Sequence, residues 1–282
     1  MTYITFSLVV VIIGFLLWKA YRNTQDIKIN TIAINSTNNT TAKQPALSIL
    51  HLSDLHLENI SITPEQLEKK LTNKKIDIIA LTGDFLDRKR TIPKLIPYLE
   101  VLQRINAVHG IYAVLGNHDY VLKEPNLTTL KEVLTQHDCH VLQNANKSIH
   151  IDGQVINIVG IDDYSTNRSN IAKSYENIKE GMNIVLTHDP NVVLEMEDFR
   201  FDYLMAGHFH GGQICYPKAY HLAKMGTLAR NNIIKGLHMH NNAPYYISEG
   251  LGQTGVNIRV GSRPEITFHN LPITTHFKSN VS

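Results

Sequence analysis

The chain has 282 residues, enough for one substantial core, and a formal net charge of only +2 spread along its length. That balance gives no reason to expect nucleic acid as an obligatory partner. Two cysteines, Cys139 and Cys215, are too few for a disulfide framework or a thiolate zinc site, whereas 15 histidines are unusually many.

The amino end is apolar from Tyr3 to Trp18 and then turns to Lys19, Tyr21 and Arg22. A helix of about 17 residues reaches roughly 25 Å, close to the hydrocarbon thickness of a bilayer once flanking side chains snorkel. A cleaved secretory signal would carry positive charge before the apolar run and a small-x-small site after it. Neither feature is present, so residues 1–23 read as an uncleaved transmembrane anchor with its flank. Lys19, Arg22 and Lys28 all follow the apolar run. The positive-inside rule then predicts a single pass through a membrane, with the rest of the chain in the cytoplasm.

Residues 24–46 read as an edge strand over 27–34 and a polar linker rich in Ser, Thr and Asn over 35–43. From 47 to 275 the pattern is that of one layered α/β unit. Short Ile/Leu/Val runs predict strands at 47–52, 76–82 and 111–115, and helical spacing predicts helices near 64–74, 92–104 and 127–137. The second half is richer in strands, with candidates at 139–143, 147–151, 154–161, 183–187, 203–206, 233–240, 244–248 and 264–270, interrupted by a helix at 168–180 and a short one after Pro190.

Polar clusters stand where these strands end. Asp54-Leu-His56 follows the first run, Gly83-Asp84 the second, and Gly116-Asn117-His118-Asp119 the third; His188 and the pair His208 and His210 come later. Side chains at the carboxyl ends of neighbouring strands converge on one crevice in open α/β sheets. Two carboxylates, one carboxamide and four imidazoles without thiolate suit manganese, iron or zinc. Two such dications bring four positive charges against two negative ones, so the site would keep a surplus that attracts phosphate and acidifies a bound water toward a pKa of about 7.

These blocks carry a resemblance. Asp54-Leu-His56, Gly83-Asp84-Phe-Leu-Asp87, Gly116-Asn117-His118-Asp119, His188 in Thr-His-Asp and Gly207-His208-Phe-His210 are similar, in order, to the signature of the calcineurin-like metallophosphoesterase superfamily. The closing Glu249-Gly-Leu-Gly and Arg263-Pro-Glu-Ile resemble its small, membrane-tethered bacterial branch, which includes pyrophosphatases of UDP-2,3-diacylglucosamine in lipid A synthesis and tethered phosphodiesterases. The resemblance implies a four-layer α-β-β-α sandwich behind the transmembrane helix and a hydrolase with two divalent metal ions at the strand ends. Asp54, His56 and His210 would hold one ion, Asn117, His188 and His208 the other, with Asp84 between. His118 would orient phosphate and protonate the leaving oxygen, and Asp119 would hold its imidazole. Asp87 would support the loop or a histidine, and Arg88 resembles a phosphate-binding arginine of some phosphatases, although Lys89 stands where those enzymes have glycine.

The substrate is expected to be a phosphodiester or pyrophosphate at the membrane, with no protein partner implied. Soluble nucleotides and other phosphoesters are the rival substrates, and a metal-binding regulator without turnover is the rival class. The irregular stretch from Gly211 to Gly236 mixes apolar residues with Lys218, Lys224 and Arg230. It reads either as a cap whose cations meet the substrate or as a solvated loop.

Overall fold

The computed structural model describes residues 2–34 and 46–273. The polar stretch expected at 35–43 lies outside the described residues, as do 274 and 275. Helix α1 (Thr2–Arg22) is followed by a 3₁₀ turn (Asn23–Gln25) and strand β1 (Lys28–Ala33). Then come β2 (Ala46–Leu52), α2 (Pro64–Leu71), β3 (Ile78–Thr82), α3 (Ile92–Ile105), β4 (Ile111–Val114), α4 (Asn126–Gln136) and β5 (Cys139–Val141). The second half holds β6 (Ala145–Ile151), β7 (Gln154–Gly160), a single turn α5 (Ile171–Ser174), β8 (Met182–Leu186), β9 (Tyr203–Ala206), α6 (Thr227–Arg230), β10 (Gly236–His240), β11 (Ala243–Ile247) and β12 (Glu265–Pro272).

Two six-stranded sheets result, in the orders β1-β12-β2-β3-β4-β5 and β10-β11-β9-β8-β7-β6. Strands β2 to β5 run parallel, as do β11, β9, β8 and β7, so each sheet presents a row of strand carboxyl ends on one side. The two-residue period of a strand sorts the side chains into layers. β2 sends Leu50 and Leu52 to the core shared with α2, α3 and α4, and Leu47 and Ile49 to the core between the sheets. β8 and β9 do the same on the other side, with Ile184, Leu186, Tyr203 and Met205 inward and Val185, Leu204 and Ala206 outward. Strands covered on both faces read as unbroken apolar runs, which is why β3 (IIALT) is buried at every position. The fold is thus the four-layer sandwich expected, although the layer outside the second sheet is built of short helical turns.

Local signals explain most boundaries. Thr63 and Gln66 form a reciprocal capping box at the start of α2, with Pro64 at its first position. Asn106, in the left-handed region at φ 54°, ends α3. The helix expected at 168–180 is only the one turn of α5. Asn170 caps it, and the Asn146 amide then donates to the carbonyls of Ser174 and Glu176, which a longer helix would need for itself. The short helix expected after Pro190 is a 3₁₀ segment, Pro190–Glu195.

With 21 residues α1 is about 31 Å long, and from Tyr3 to Leu17 its side chains are exposed. It is the one helix among the described residues long and apolar enough to cross a membrane. Its foot is docked on the body. The backbone N–H of Arg259 donates to the Ala20 carbonyl at 2.9 Å, the Asn23 amide donates to the Arg259 carbonyl at 2.8 Å, and the buried Thr24 hydroxyl meets that of Ser61 at 2.8 Å.

A polar chain crosses the core between the sheets. His51 Nε2 meets the Thr82 hydroxyl at 2.8 Å, His51 Nδ1 faces His269 Nε2 at 3.4 Å, and the Tyr203 hydroxyl meets His269 Nδ1 at 2.8 Å. Burial pushes His51 down to about 3 and His269 well below the ordinary imidazole range. Both are therefore neutral in the fold, whereas the unfolded chain protonates them below about pH 6.5. The unfolded state then binds the extra protons, and stability falls as pH drops from about 6.5 toward 3. Between pH 7 and 5 each histidine should cost about 2 kcal/mol. The double variant Tyr203→Phe with His269→Leu should show a shallower dependence of its urea midpoint on pH across that interval; a slope equal to wild type would remove His269 from the account.

Candidate metal centre

The seven side chains singled out in the sequence meet at the carboxyl ends of β2, β3, β4, β8 and β9, and six of them are buried, Asn117 being half-buried. Among the described residues three groups offer ligand atoms within 4.8 Å of one another: the triads Asp54 with His56 and His210, and Asp84 with His188 and His208, and a third group of His56, Asp84 and the half-buried His118. Asp84 stands between them. Its Oδ2 lies 3.4 Å from His56 Nε2 on one side and 3.1 Å from His188 Nε2 on the other. His210 Nε2 is 3.4 Å from Asp54 Oδ1, and His208 Nδ1 faces His188 Nε2 at 3.1 Å. Asn117 Oδ1, His56 Nε2 and His210 Nδ1 are buried with no hydrogen-bond partner. Orphaned buried polar atoms are costly, and a cation would satisfy them. The donor set therefore fits two divalent ions.

The backbone does the aiming. Asp54, His56, Asp84, His208 and His210 all have positive φ, from 41° to 78°. Residues with a Cβ adopt that region at a cost of about 1–3 kcal/mol each, and persist there only where the surroundings over-determine them. Here they do. Asp54 N–H donates to Gly83 O and His56 N–H to Asp84 O, both at 3.0 Å, His118 N–H donates to Asp84 Oδ1 at 2.8 Å, and His208 N–H donates to the Asp54 carboxylate at 3.1 Å. The glycines that open two of the blocks are there for space. A Cβ on Gly116 would collide with the Asp84 carboxylate and the His188 ring, and one on Gly207 with Ser53 and Asp54.

Burial alone would raise the two carboxylates, but His210 and His188 hold Asp54 below the ordinary range, and His188 and His56 hold Asp84 well below it. Burial pushes His210 down to about 3, and burial with the neighbouring His188 lowers His208, so both stand ready as neutral ligands. His188 Nδ1 donates to the Thr82 carbonyl at 2.7 Å, which leaves its Nε2 for the centre.

His118 stands at the edge of this group, its ring centroid 4.7 Å from that of His56. Asp119 does not hold it, contrary to expectation. The Asp119 carboxylate faces inward and accepts from the backbone N–H groups of Asp84, Phe85, Leu86 and Gly116 at 2.8–3.2 Å, so it ties two blocks together. The carboxylate beside His118 is Asp87, whose Oδ2 is 3.8 Å from His118 Nδ1. Sequence adjacency pointed to Asp119; the 3₁₀ turn that begins there points its side chain away from the crevice.

A cleft of about 280 Å³ opens over Asp84, Asn117, His118, His208 and His210, with His221 on its wall. A neighbouring cavity of about 540 Å³ is lined by Tyr164, Asp189, Glu195, His208 and Lys224. Of the four cations in the 211–236 stretch, Lys224 thus reaches a cavity beside the centre, Arg230 turns to Thr227 in its own helix, Lys218 is exposed on the surface, and Lys235 pairs with Glu249 at 3.1 Å. The sequence reading missed Arg259. Its guanidinium is fully buried and donates to the carbonyls of Glu249, Gly250, Gly252 and Arg263 at 2.6–3.0 Å. That loop is bonded to the first block, with Leu251 N–H on Ser53 O and Gly252 N–H on Asp54 O. An arginine in a glycine-rich stretch without a nearby acidic run was the available signal.

Asp84→Asn removes the one negative charge that both triads share. Tightly bound divalent metal, measured by elemental analysis of the purified chain, should fall by at least about half, since each ion loses an anionic neighbour worth several kcal/mol at short range. Retention of the wild-type metal content would refute the central position of Asp84.

The profile of the calcineurin-like phosphoesterase family matches residues 47–212. The chain is 58% identical over 268 residues to the uncharacterized metallophosphoesterase YkoQ of Bacillus subtilis (strain 168), covering 95% of this chain and 99% of that one. It is 27% identical to the UDP-2,3-diacylglucosamine pyrophosphatase LpxG of Chlamydia muridarum (strain MoPn / Nigg), over 78% of this chain and 82% of that one. A solved structure of phosphopantetheinyl hydrolase PptH from Mycobacterium tuberculosis superposes with a TM-score of 0.49 at 11% identity, covering 74% and 90% of the two chains. With the profile spanning more than half of the chain, the protein belongs to the calcineurin-like metallophosphoesterases and is a hydrolase acting on phosphoesters.

Proposed function

We propose that the protein hydrolyses a phosphodiester or pyrophosphate bond in a membrane-associated substrate, of which UDP-2,3-diacylglucosamine is one example. The observation that carries the reading is the pair of buried triads joined by Asp84 with His118 alongside. Asp54, His56 and His210 would hold one ion; Asn117, His188 and His208 would hold the other. Bound divalent ions supply positive charge for the phosphate oxygens and acidify a water for attack on phosphorus. The chain's own residues do the rest. Asp84 fixes the spacing of the two triads, the left-handed backbone presets the ligands so that no reorganisation accompanies the reaction, and His118 donates the proton that the leaving oxygen needs. Asp87 orients His118.

The membrane part of the reading rests on α1, whose carboxyl flank carries Lys19 and Arg22 and whose foot is docked on the body. We read it as an uncleaved single-pass anchor in an inner membrane, with the catalytic part cytoplasmic. A reporter active only in the periplasm, fused after Ser282, should be silent; activity there would reverse the orientation.

His118→Asn should keep its metal and lose about 10² to 10⁴ in kcat on esters with poor leaving groups, and much less on p-nitrophenyl esters, whose leaving group needs no proton. The comparison is made with bis(p-nitrophenyl) phosphate and an alkyl phosphodiester after chelator stripping and reloading with manganese, iron or zinc. Equal losses on both substrates would take the acid role from His118. A wild-type chain that binds metal and turns over no phosphoester would favour the regulator reading.

A further inference from the structure

The foot of α1 and the candidate metal centre are separated by very little structure. Thr24 bonds to Ser61, and Ser61 to Asn257 at 3.0 Å. Two residues before Asn257, Gly255 accepts from the Asn59 amide at 3.2 Å. Gly255 and Asn59 line a cavity of about 380 Å³ whose other walls include Glu58, Asp87, Arg90 and Lys94. Thr254, the next residue, lines the cleft over the metal centre, and Asp87 is the carboxylate beside His118. The cavity therefore has the anchor joint on one side and His118 on the other.

Its charge is oriented toward an anion. Arg88, Arg90 and Lys94 are exposed on its rim. Arg88 leans on Asp87 at 3.4 Å, but among the described residues neither Arg90 nor Lys94 has a carboxylate partner. Glu58 and Asp87 set two negative charges against the three positive ones of the lining, which keeps a surplus of one, and Glu58 Oε1 is engaged by the backbone N–H groups of Asp87 and Arg88 and by the Thr91 hydroxyl. These cations also crowd the amino end of α3, which has no acidic residue in its first turn. A helix amino end favours anions, and Glu58, bonded to the Thr91 hydroxyl at the N-cap, supplies one there.

A bilayer substrate would present its headgroup near the foot of α1. If α1 spans the hydrocarbon, Trp18, Lys19, Tyr21 and Arg22 lie at the interface. The step from Gly255 to Asn257 is at most about 7 Å, and the headgroup layer is about 5–7 Å deep on each side.

We propose that this cavity is the subsite for the phosphate-bearing headgroup of a substrate held in the bilayer, with Arg90 and Lys94 as its cationic contacts, and that the joint at Asn23 and Thr24 sets its height. The assignment rests on the phosphoesterase reading of the metal centre. A tethered enzyme gains from this arrangement because the scissile bond arrives already placed between headgroup depth and the two triads. A freely soluble ester has no use for it.

The full-length protein is reconstituted in neutral phosphatidylcholine vesicles and assayed on two p-nitrophenyl diesters, bis(p-nitrophenyl) phosphate in solution and 1,2-dioleoylglyceryl p-nitrophenyl phosphate in the bilayer. In Arg90→Ala with Lys94→Ala the ratio of kcat/KM for the lipid ester to that for the soluble ester should fall about tenfold or more, through KM, as expected for lost charge-assisted contacts. Inserting Gly-Ser-Gly-Ser between Arg22 and Asn23 should lower the same ratio while leaving turnover of the soluble ester unchanged. Unaltered ratios in both variants would overturn the subsite and leave the phosphoesterase reading intact, whereas a wild-type protein inactive on both esters would overturn the two together. A loss that appears only when the vesicles also contain phosphatidylglycerol would assign the cations to bulk membrane charge and overturn the subsite as well.

Discussion

Two carboxylates, Asp54 and Asp84, lie fully buried in one crevice, and the surrounding structure is organised by the need to hold them ionised there. An isolated carboxylate removed from water would take up a proton. Imidazoles on both sides and backbone N–H groups aimed at the carboxylate oxygens prevent it, and His208 and His210, kept neutral by burial, leave lone pairs that a cation can use. The charge problem and the function are one arrangement. A chain that solved the first without a cation would have no reason to leave Asn117 Oδ1 and two ring nitrogens buried without partners.

Holding such groups requires a frame that does not relax. The candidate ligands sit on loops, but each loop is short and follows a parallel strand buried at its carboxyl end, and backbone hydrogen bonds tie the first block to the second. Asp119 is the clearest case, a carboxylate spent entirely on fixing N–H groups of two adjacent blocks. Arg259 is its counterpart on the far side, satisfying carbonyls of the 249–263 loop that packs against Asp54. A buried polar group that bonds chiefly to backbone dipoles acts as a rivet. Its removal would free several strand-end segments at once.

Much of this was legible from the residues. The apolar runs of β2, β3 and β4, the polar cluster after each, and the glycine that opens three blocks are local signals, and local signals survive folding. The helix expected at 168–180 was misleading because a side chain distant in sequence, Asn146, claims the carbonyls that the helix would use. The role expected of Asp119 was misleading for a related reason, since adjacency to His118 says nothing about the direction in which a 3₁₀ turn points successive side chains. Arg259 left only a faint signal and the docking of Ala20 and Asn23 none, because each joins segments more than 200 residues apart or depends on backbone carbonyls that carry no sequence mark.

The order of strands in the first sheet has a consequence for how the molecule is made. β12, near the carboxyl end, lies between β1 and β2, two strands that are among the first to be synthesised. The helix layer and β2 to β5 can assemble while translation continues, but β1 has no neighbour until β12 arrives. The loop held by Arg259, which supports Asp54 from outside, comes just before β12 in the chain and is late for the same reason. All seven candidate ligand residues are therefore synthesised before the frame that holds them can close, and the crevice of the nascent chain would stay open until β12 inserts.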